Sequence, residues 1–585
     1  MTRLKDATIL VILLLFAGML FFFRLGAPGF FDADEPAYAQ AAREMVESGD
    51  WVTPHFNGLP RFDKPPLFYY LILLSYRLFG VTEFAARFWS ALAGVALTGV
   101  LWVAGRRWLG PHAGLMASVA FSTSLLAALL ARAAVTDMLL CLFVTAAILA
   151  GLAALQAPAP LARRFATAGW VAMALAVLVK GPVGLLIPGL ALGGSLLLLR
   201  EIRSGVPRLV PWQGPALFLA IAAPWYALVL AANGWAFVEG FLIKHNLSRF
   251  SGVISSHGGP VWFYVPVLLV GFFPWCGSLP SALWRAARVA RRRRAVSPAE
   301  RLTVTCLCWF VGVFVFFSLA GTKLPSYLFP AFPALALLVG SGGMDNAKPT
   351  TYNRPITAVD RLSVVGCQLS VADEEPIPRW ISRLGSWLMG LTGCALAAAF
   401  FLVPWIFEWA RPAARGVLDG VPPPASLAWG LGGLVLAGTL AGLIAKGRRQ
   451  PAVLAAMMAC LILTAAAAAP RAYAIVQGSL REFSEEARRI LGPGDPVLVY
   501  GLNAPSVVFY TNRRVTPLGS DDLGKLAETV RRLTDAGRPV VVITRSALAP
   551  RLAGVQGLSG VKSRGGYALY ISPEAGAAQS GSAIR

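Results

Sequence analysis

The sequence predicts an α-helical polytopic membrane protein with a small α/β domain at its C-terminus. Of its 585 residues, 56% are hydrophobic and 14% are charged, whereas soluble domains are about 45–50% apolar and about 25% charged. Apolar runs long enough to cross a hydrocarbon core of roughly 30 Å recur along the chain. This composition excludes a water-soluble multidomain enzyme and a disordered chain.

The charge of the chain is strongly basic, with 52 Lys and Arg against 29 Asp and Glu. The basic residues lie in short loops between apolar runs, where they indicate topology rather than nucleic-acid binding, so no nucleic acid is expected as a partner. Of the seven cysteines, six fall in apolar runs and Cys367 falls in a predicted cytoplasmic loop. They indicate neither a disulfide framework nor a CxxC metal site.

Thirteen apolar runs are predicted to cross the membrane. The first, residues 7–23, lacks an Ala-x-Ala cleavage pattern and is predicted to be an uncleaved anchor. With the N-terminus inside, alternation places every strongly basic loop on the cytoplasmic side. The other runs lie near residues 83–105, 113–131, 136–155, 165–180, 182–199, 212–232, 260–283, 302–320, 326–342, 384–408, 427–445 and 451–470.

This topology requires that the apolar stretch 67–79 lies at the outer interface. The stretch is short for a span and ends at Gly80. If it crossed the membrane, every later run would cross in the opposite direction, and the arginine cluster 291–294 would lie outside.

The predicted membrane domain covers residues 1–470 and carries two long polar loops, an external one at 24–66 and a flexible cytoplasmic one at 341–383. The tail, 471–585, alternates between helix-like and strand-like segments, a pattern typical of a small extracytoplasmic α/β domain. Its predicted helices are 480–491 and 522–536, and its predicted strands are 496–500, 540–544 and 567–571.

Ionisable side chains at membrane depth are costly and usually functional, and here they collect on the external side. Asp34 and Glu35, an acidic pair before a proline, are candidates for a general base or metal ligands. The alternative is that Asp34 caps a helix over 36–46 with Glu35 in its first turn.

A second group of external residues suits a phosphate or a metal ion. Lys64 and Arg249 are candidate phosphate ligands, and the alternative for Lys64 is an interfacial anchor. His245 and His257 lie in one external loop and are candidate ligands of a divalent metal, with surface or capping roles as the alternative. The remaining candidates are Lys323, Tyr327, which otherwise belongs to an aromatic belt, and, with weaker support, Asp137 and Lys180.

Several cations, carboxylates and histidines at one membrane-level external site suit a substrate that is both anionic and lipid-linked. A polyprenyl-phosphate sugar is such a substrate. Its tail would lie among the helices, and Lys64, Arg249 and Lys323 would bind its phosphate while a base activates a hydroxyl acceptor.

These motifs resemble the aminoarabinose lipid A transferase family, which is related to the dolichyl-phosphate-mannose protein mannosyltransferases and has the GT-C fold. The resemblance runs in order from about residue 8 to 342 and more loosely through the tail. Its segments are DEPAY at 34–38, REM at 43–45, GDWVTP at 49–54, DKPP at 63–66, HNLSRF at 245–250, KLPSY at 323–327, VFY at 508–510 and RR at 513–514.

The resemblance implies an inverting glycosyltransferase of the bacterial inner membrane that uses an undecaprenyl-phosphate sugar at a periplasmic active site. By this resemblance Asp34 is the essential acid and Lys64 the phosphate lysine. Asp63 and His245 stand where the family binds a divalent metal such as zinc, and Arg249 and Tyr327 stand where it contacts the lipid phosphate.

The sequence departs from the family pattern at three of these positions. Ala37 stands where an arginine is expected, and Asp63 replaces a longer glutamate. Arg61 replaces an aromatic residue and is added to the candidate phosphate ligands. These departures leave the donor sugar open, and the expected acceptor is lipid A or another envelope glycan or protein. If the acceptor is itself a phosphate, Asp34 is expected to orient a substrate instead of removing a proton.

Two other functions remain as alternatives. A protein O-mannosyltransferase would use the same chemistry on a different acceptor. A transporter or flippase of lipid-linked sugars would favour helix repeats and charged or broken helices near the bilayer midplane. The candidate residues lie in external loops instead, which favours the enzyme.

Overall fold

The computed structural model describes residues 2–253, 258–294, 297–342, 377–410, 423–445, 447, 449–492 and 494–573. His257, Cys367 and most of the predicted loop 341–383 lie outside these ranges. The helices of the first half are α1 Thr2–Phe22, α2 Asp34–Ser48, α3 Leu67–Phe79, α4 Glu83–Leu109, α5 Pro111–Ser122, α6 Leu125–Ala131, α7 Asp137–Gln156, α8 Ala159–Lys180, α9 Val183–Leu198, α10 Ile202–Leu209, α11 Gln213–Asn233 and α12 Trp235–Phe237.

The second half carries the remaining helices and most of the strands. Its helices are α13 Ser248–Ser251, α14 Tyr264–Gly271, α15 Leu279–Arg291, α16 Pro298–Leu319, α17 Phe332–Ser341, α18 Arg379–Ala410, α19 Ala425–Ile444, α20 Arg449–Tyr473, α21 Ser479–Ile490, α22 Pro505–Thr511, α23 Leu523–Asp535 and α24 Ala549–Leu552. The strands of the whole chain are β1 His55–Phe56, β2 Leu59–Pro60, β3 Val497–Tyr500, β4 Val515–Leu518, β5 Val541–Arg545, β6 Ser559–Arg564 and β7 Tyr567–Ile571.

The membrane-protein class predicted from composition is confirmed. Within the described ranges, nine helices are long and apolar enough to cross a bilayer, and two bent pairs raise the number to eleven. Helix α9 and the segment Pro325–Ser341 are shorter apolar helices. The predicted count of thirteen crossings therefore stays a prediction, and so does the interfacial position of α3, whose bounds coincide with the predicted stretch 67–79.

The predicted crossing over 260–283 is not one continuous helix. The segment forms two helices, Val261–Gly271 and Trp275–Arg291, bent by 112°. The break contains Pro274, which has no backbone N–H to donate to a helical hydrogen bond. The run 113–131 is also divided, between α5 and α6, by a bend of 65°.

The C-terminal domain is a five-stranded mixed sheet in the order β4-β3-β5-β7-β6, with β3 parallel to both β4 and β5. Apolar side chains of α21 and α22 cover one face and those of α23 cover the other. The predicted strands and helices of the tail are all present within a residue or so. Strand β4 and strand β6 were not predicted, because Pro517 interrupts the first and the second is largely polar.

The C-terminal domain contacts the external loop 24–66 directly. Asn57 pairs with the exposed edge of β4, since its side chain donates to the Val515 carbonyl at 2.7 Å and accepts from the Val515 N–H at 2.8 Å. Asp32 accepts hydrogen bonds from the backbone N–H and hydroxyl of Ser506 at 2.8 and 2.6 Å. Loop and domain therefore lie on the same side of the predicted membrane.

Candidate functional site

Adjacent Asp34 and Glu35 have opposite environments. Glu35 is 7% exposed, and its two carboxylate oxygens accept hydrogen bonds from Arg87 at 2.7 and 2.8 Å. The N–H of Ala134 donates to the same carboxylate at 2.8 Å. Arg87 is itself buried and also donates to the carbonyls of Leu25, Pro28 and Gly29. Glu35 therefore belongs to a buried hydrogen-bond network that joins the external loop 24–66 to helix α4.

Asp34 is exposed to solvent and is the first residue of α2. The preceding residue, Ala33, is the N-cap and makes no side-chain capping bond, so the alternative in which Asp34 caps the helix is wrong. Among the described residues, none donates a hydrogen bond to the Asp34 carboxylate. Its negative charge acts on Arg61, which places it beside the cluster formed by the next loop. Asp34 is therefore free to accept a proton or a substrate hydrogen bond.

Arg61, Asp63 and His245 form a contiguous charged group. Arg61 lies 2.9 Å from Asp63 Oδ2, and His245 Nε2 lies 3.0 Å from Oδ1. Burial raises the pKa of Asp63, but the His245 hydrogen bond and the Arg61 charge lower it more, so this pKa lies well below its usual range. Arg61 also stands over the rings of Tyr38 and Phe56 at 5.2 and 5.6 Å. Asp63 therefore stays ionised between two cationic or hydrogen-bonding partners.

A divalent metal at this group would have Asp63 and His245 as ligands. His245 Nδ1 is buried without a hydrogen-bond partner in the described part of the chain, but no three His, Cys, Asp or Glu side chains there are grouped to hold a metal. Zinc sites in proteins use three or four such ligands. Among the described residues, Asp63 and His245 are therefore fewer ligands than a zinc site needs, and Arg61 already neutralises Asp63.

Lys64 lies partly buried beside this group, with its Nζ donating to the Asp63 carbonyl at 2.9 Å. Burial, followed by the positive charges of Lys180 and Arg249, lowers its pKa from 10.5 to about 7. An anion placed among these three cations would relieve their repulsion. The electrostatics therefore favour a bound phosphate.

The weaker candidates Asp137 and Lys180 join the same region. Lys180 Nζ lies 2.6 Å from Asp137 Oδ1 and 5.5 Å from the centre of the Tyr327 ring. Arg249 donates to the Tyr327 hydroxyl at 3.3 Å, and its Nε is buried with no hydrogen-bond partner in the described ranges. Residues from five separate segments of the sequence thus converge on one charged site.

Lys323 is directed elsewhere. It is 5% exposed, and its Nζ donates to the carbonyls of Ser318 at 2.8 Å and Ala320 at 2.6 Å. These carbonyls end helix α16, where a cation is favourable. The ammonium group of Lys323 is therefore bound by carbonyls at the end of α16 and is not free.

Sequence reasoning missed several residues that shape the site. Arg87 lies near the start of the largely apolar helix α4, and an arginine inside such a helix was an available signal for a buried partner. Tyr38 follows Asp34 by one helical turn, so its place beside Arg61 was predictable from helix spacing. Tyr69 had no such local signal, because its position near Arg61 depends on the packing of α3.

Parts of this chain are similar in sequence to known proteins. The family model described as dolichyl-phosphate-mannose-protein mannosyltransferase matches residues 63–227. A relative from Proteus mirabilis, named undecaprenyl phosphate-alpha-4-amino-4-deoxy-L-arabinose arabinosyl transferase 2, is 32% identical over 345 residues, covering 58% of this chain and 60% of the relative. A relative of the same name from Sodalis glossinidius is 35% identical over 324 residues, covering 52% and 54%. The chain thus spans little more than half the length of these curated relatives.

A solved structure extends the similarity to nearly the whole chain. The crystal structure of ArnT from Cupriavidus metallidurans bound to undecaprenyl phosphate has a TM-score of 0.74 and 25% identity, and the match covers 96% of this chain and 97% of that one. The apo crystal structure of the same protein matches with a TM-score of 0.74 and 24% identity. The predicted combination of a helical membrane domain with a C-terminal α/β domain is confirmed.

Proposed function

We propose that this chain is a membrane glycosyltransferase that transfers a sugar from undecaprenyl phosphate to an envelope acceptor, and its similarity to the proteins described above supports this. The proposed acceptor is lipid A or another envelope glycan or protein, and the proposed location is the periplasmic face of a bacterial inner membrane. The observation that carries the proposal is that Lys180 and Arg249 both contact Tyr327 and lie close enough to Lys64 for their charges to lower its pKa. Exposed Asp34 lies near Arg61 of the adjoining charged group.

The cations would bind the donor phosphate. A phosphate between Lys64 and Arg249 would satisfy the buried guanidinium Nε of Arg249 and would raise the pKa of Lys64. During transfer the bond from the anomeric carbon to the phosphate oxygen breaks, and the departing lipid phosphate gains negative charge. Cations in a partly buried site stabilise that charge more strongly than water does.

Asp34 would act on the acceptor. As the acceptor hydroxyl attacks the anomeric carbon, its oxygen forms the new glycosidic bond and its proton passes to the Asp34 carboxylate. Attack from the face opposite the leaving phosphate inverts the configuration. Glu35 does not take this role in the proposal, because its oxygens are engaged by Arg87.

Arg61 would supply the positive charge that the family's divalent metal supplies. Its guanidinium contacts Asp63, while His245 contacts the other oxygen of the same carboxylate. We therefore expect chelation with EDTA to change the transfer rate by less than about twofold, in contrast to enzymes whose metal stabilises the transition state. Elemental analysis of the purified chain should give substoichiometric zinc.

The matched variants for this prediction are Arg61→Met and Arg61→Lys. Removing the charge should slow transfer by about 10²-fold, as loss of a single transition-state donor does elsewhere, and lysine should restore part of the rate. A rate that falls on chelation and returns with added zinc would contradict the prediction.

Donor affinity should depend on pH through Lys64. Since its pKa in the folded chain is about 7, the lysine loses its charge as the pH rises above that value. Binding of undecaprenyl phosphate then requires proton uptake, and its affinity should fall by up to about tenfold per pH unit between pH 7 and 9. Equilibrium binding of undecaprenyl phosphate across this range measures the effect.

Lys64→Arg is the control for the pH dependence, because a guanidinium stays charged throughout the range. Its binding curve should be flat where the wild-type curve falls. A wild-type affinity that is constant from pH 7 to 9 would contradict the prediction that Lys64 loses its charge in this range.

The acceptor and the sugar can be identified in cells. Mass spectrometry of lipid A and of other envelope glycans and glycoproteins, with and without this protein, should show one species that loses a single sugar when the protein is absent. Identical envelope profiles, together with no binding of undecaprenyl phosphate by the purified chain, would refute the proposed function.

A further inference from the structure

A second basic cavity lies away from the Lys64 site. It has a volume of about 470 Å³ and is lined by α2, the end of α3 and the C-terminal domain, including Arg43, Glu47, Arg77 and Arg488. None of these residues belongs to the site described above. Three guanidinium groups face one carboxylate, so the cavity has a local excess of positive charge. We call it the arginine cleft.

Two arginines of the arginine cleft are available to a ligand. Arg77 and Arg488 are exposed, and neither forms an ion pair with any residue in the described ranges, although the Arg77 guanidinium lies over the Trp51 ring at 5.8 Å. Arg43 is fixed by the protein instead, because it donates to the Phe509 carbonyl at 2.9 Å and stacks on the Phe509 ring at 4.1 Å. Arginines of this kind bind phosphate groups well, since their donors form a planar fork.

Helices α2 and α3 connect the arginine cleft to the proposed catalytic site. Asp34 begins α2 and Arg43 follows nine residues later, so the rise along the helix is about 14 Å. From the start of α3 to Arg77 the rise is about 15 Å. The Tyr76 hydroxyl donates to the Ala39 carbonyl at 3.1 Å and ties the two helices together. The cleft is thus held at a fixed separation from Asp34.

The surface next to the arginine cleft is apolar. Leu74 and Leu78 of α3 are 46% and 64% exposed, and Phe79 is 42% exposed. Val81, which follows them, lines the cleft itself. Positive charge beside exposed apolar side chains on a helix predicted to lie at the membrane interface suits a molecule with both an anionic headgroup and acyl chains.

We propose that the arginine cleft binds the phosphate of an anionic glycolipid acceptor and thereby presents an acceptor group to Asp34. The role of the ligand as an acceptor rests on the proposed function, whereas the existence of the binding site does not. The separation of about 15 Å suits an acceptor whose phosphate and accepting group lie at different ends of a large headgroup. A compact donor phosphate at Lys64 would not reach the cleft.

The test uses the full chain in phosphatidylcholine nanodiscs, with binding measured by native mass spectrometry. The probes are diphosphorylated lipid A, the same lipid A after dephosphorylation, and inorganic phosphate. Arg77→Ala and Arg488→Ala should each weaken binding of diphosphorylated lipid A by about tenfold, and Arg77→Lys should weaken it less. Arg531→Ala removes an arginine of the C-terminal domain whose side chain is 79% exposed, and it should bind like the wild type.

Three results would overturn the proposal. The first is equal binding of the phosphorylated and dephosphorylated lipids by the wild-type chain. The second is wild-type affinity in both Arg77→Ala and Arg488→Ala. The third is inorganic phosphate that binds as tightly as the glycolipid, which would make this a free-phosphate site.

A separate measurement distinguishes this proposal from the proposed function. Binding of undecaprenyl phosphate should be unchanged in Arg77→Ala and in Arg488→Ala. If the wild-type chain binds diphosphorylated lipid A through these arginines but does not bind undecaprenyl phosphate, the proposed function fails and the arginine cleft stands.

Discussion

Replacing Asp34 by Asn is expected to slow sugar transfer to a hydroxyl acceptor by about 10³-fold, within the 10²- to 10⁴-fold that a positioned general base contributes. The amide keeps the size of the side chain but accepts a proton poorly. Because Asp34 is exposed and receives no hydrogen bond from the described residues, the substitution breaks no internal contact. Folding and donor binding should therefore be retained.

The experiment compares single-turnover transfer rates of Asp34→Asn and Asp50→Asn. Asp50 lies in the same external loop, and its Oδ1 accepts hydrogen bonds from Val52 and Thr53 N–H groups, which an asparagine oxygen can also accept. Full activity in Asp34→Asn would remove the proposed base. With an acceptor that is itself a phosphate, a much smaller loss would indicate that Asp34 orients the substrate instead.

Replacing Arg87 by Ala is expected to lower the free energy of unfolding by about 3–5 kcal/mol, the cost of leaving one partner of a buried ion pair alone. Glu35 would keep its charge at 7% exposure without its two hydrogen bonds from Arg87. The carbonyls of Leu25, Pro28 and Gly29 would lose their donor as well. The loop that leads into Asp34 should then lose its fixed position.

Thermal unfolding of the detergent-solubilised chain measures this effect, with Arg106→Ala as the matched control. Arg106 pairs with Asp6, but its side chain is 42% exposed, and exposed pairs contribute only about 0–1 kcal/mol. The midpoint of Arg87→Ala should fall well below that of Arg106→Ala. Equal midpoints would mean that the Glu35 network is not needed for stability.

Much of the candidate site could be predicted from the sequence. The prediction that Lys64, Arg249, Tyr327, Asp63 and His245 share one side of the membrane followed from the placement of apolar runs and basic loops. Their contacts in the structure agree with it: His245 meets Asp63 and Arg249 meets Tyr327 across large distances in sequence. Because only a small group of polar residues lies at the external side of the membrane, these residues are expected to lie close together.

The choice between neighbouring residues was not predictable. Asp34 and Glu35 are both acids at one helix start, yet one is exposed and the other pairs with Arg87, 52 residues away. Lys323 carried the same cationic signal as Lys64, but local carbonyls take its ammonium group. These outcomes depend on the rotation of a helix about its axis and on which partner lies within hydrogen-bond reach.

The class of the protein, most of its helices and the elements of its tail follow from the chain alone, because hydrophobic length, charge between apolar runs and residue periodicity are local properties. The 112° bend at Pro274, the docking of the tail on the loop 24–66 and the arginine cleft required the folded molecule. Each joins residues that lie far apart in sequence or sets an angle between helices. Such relations are decided by packing, in which every side chain competes for the same space and the same partners.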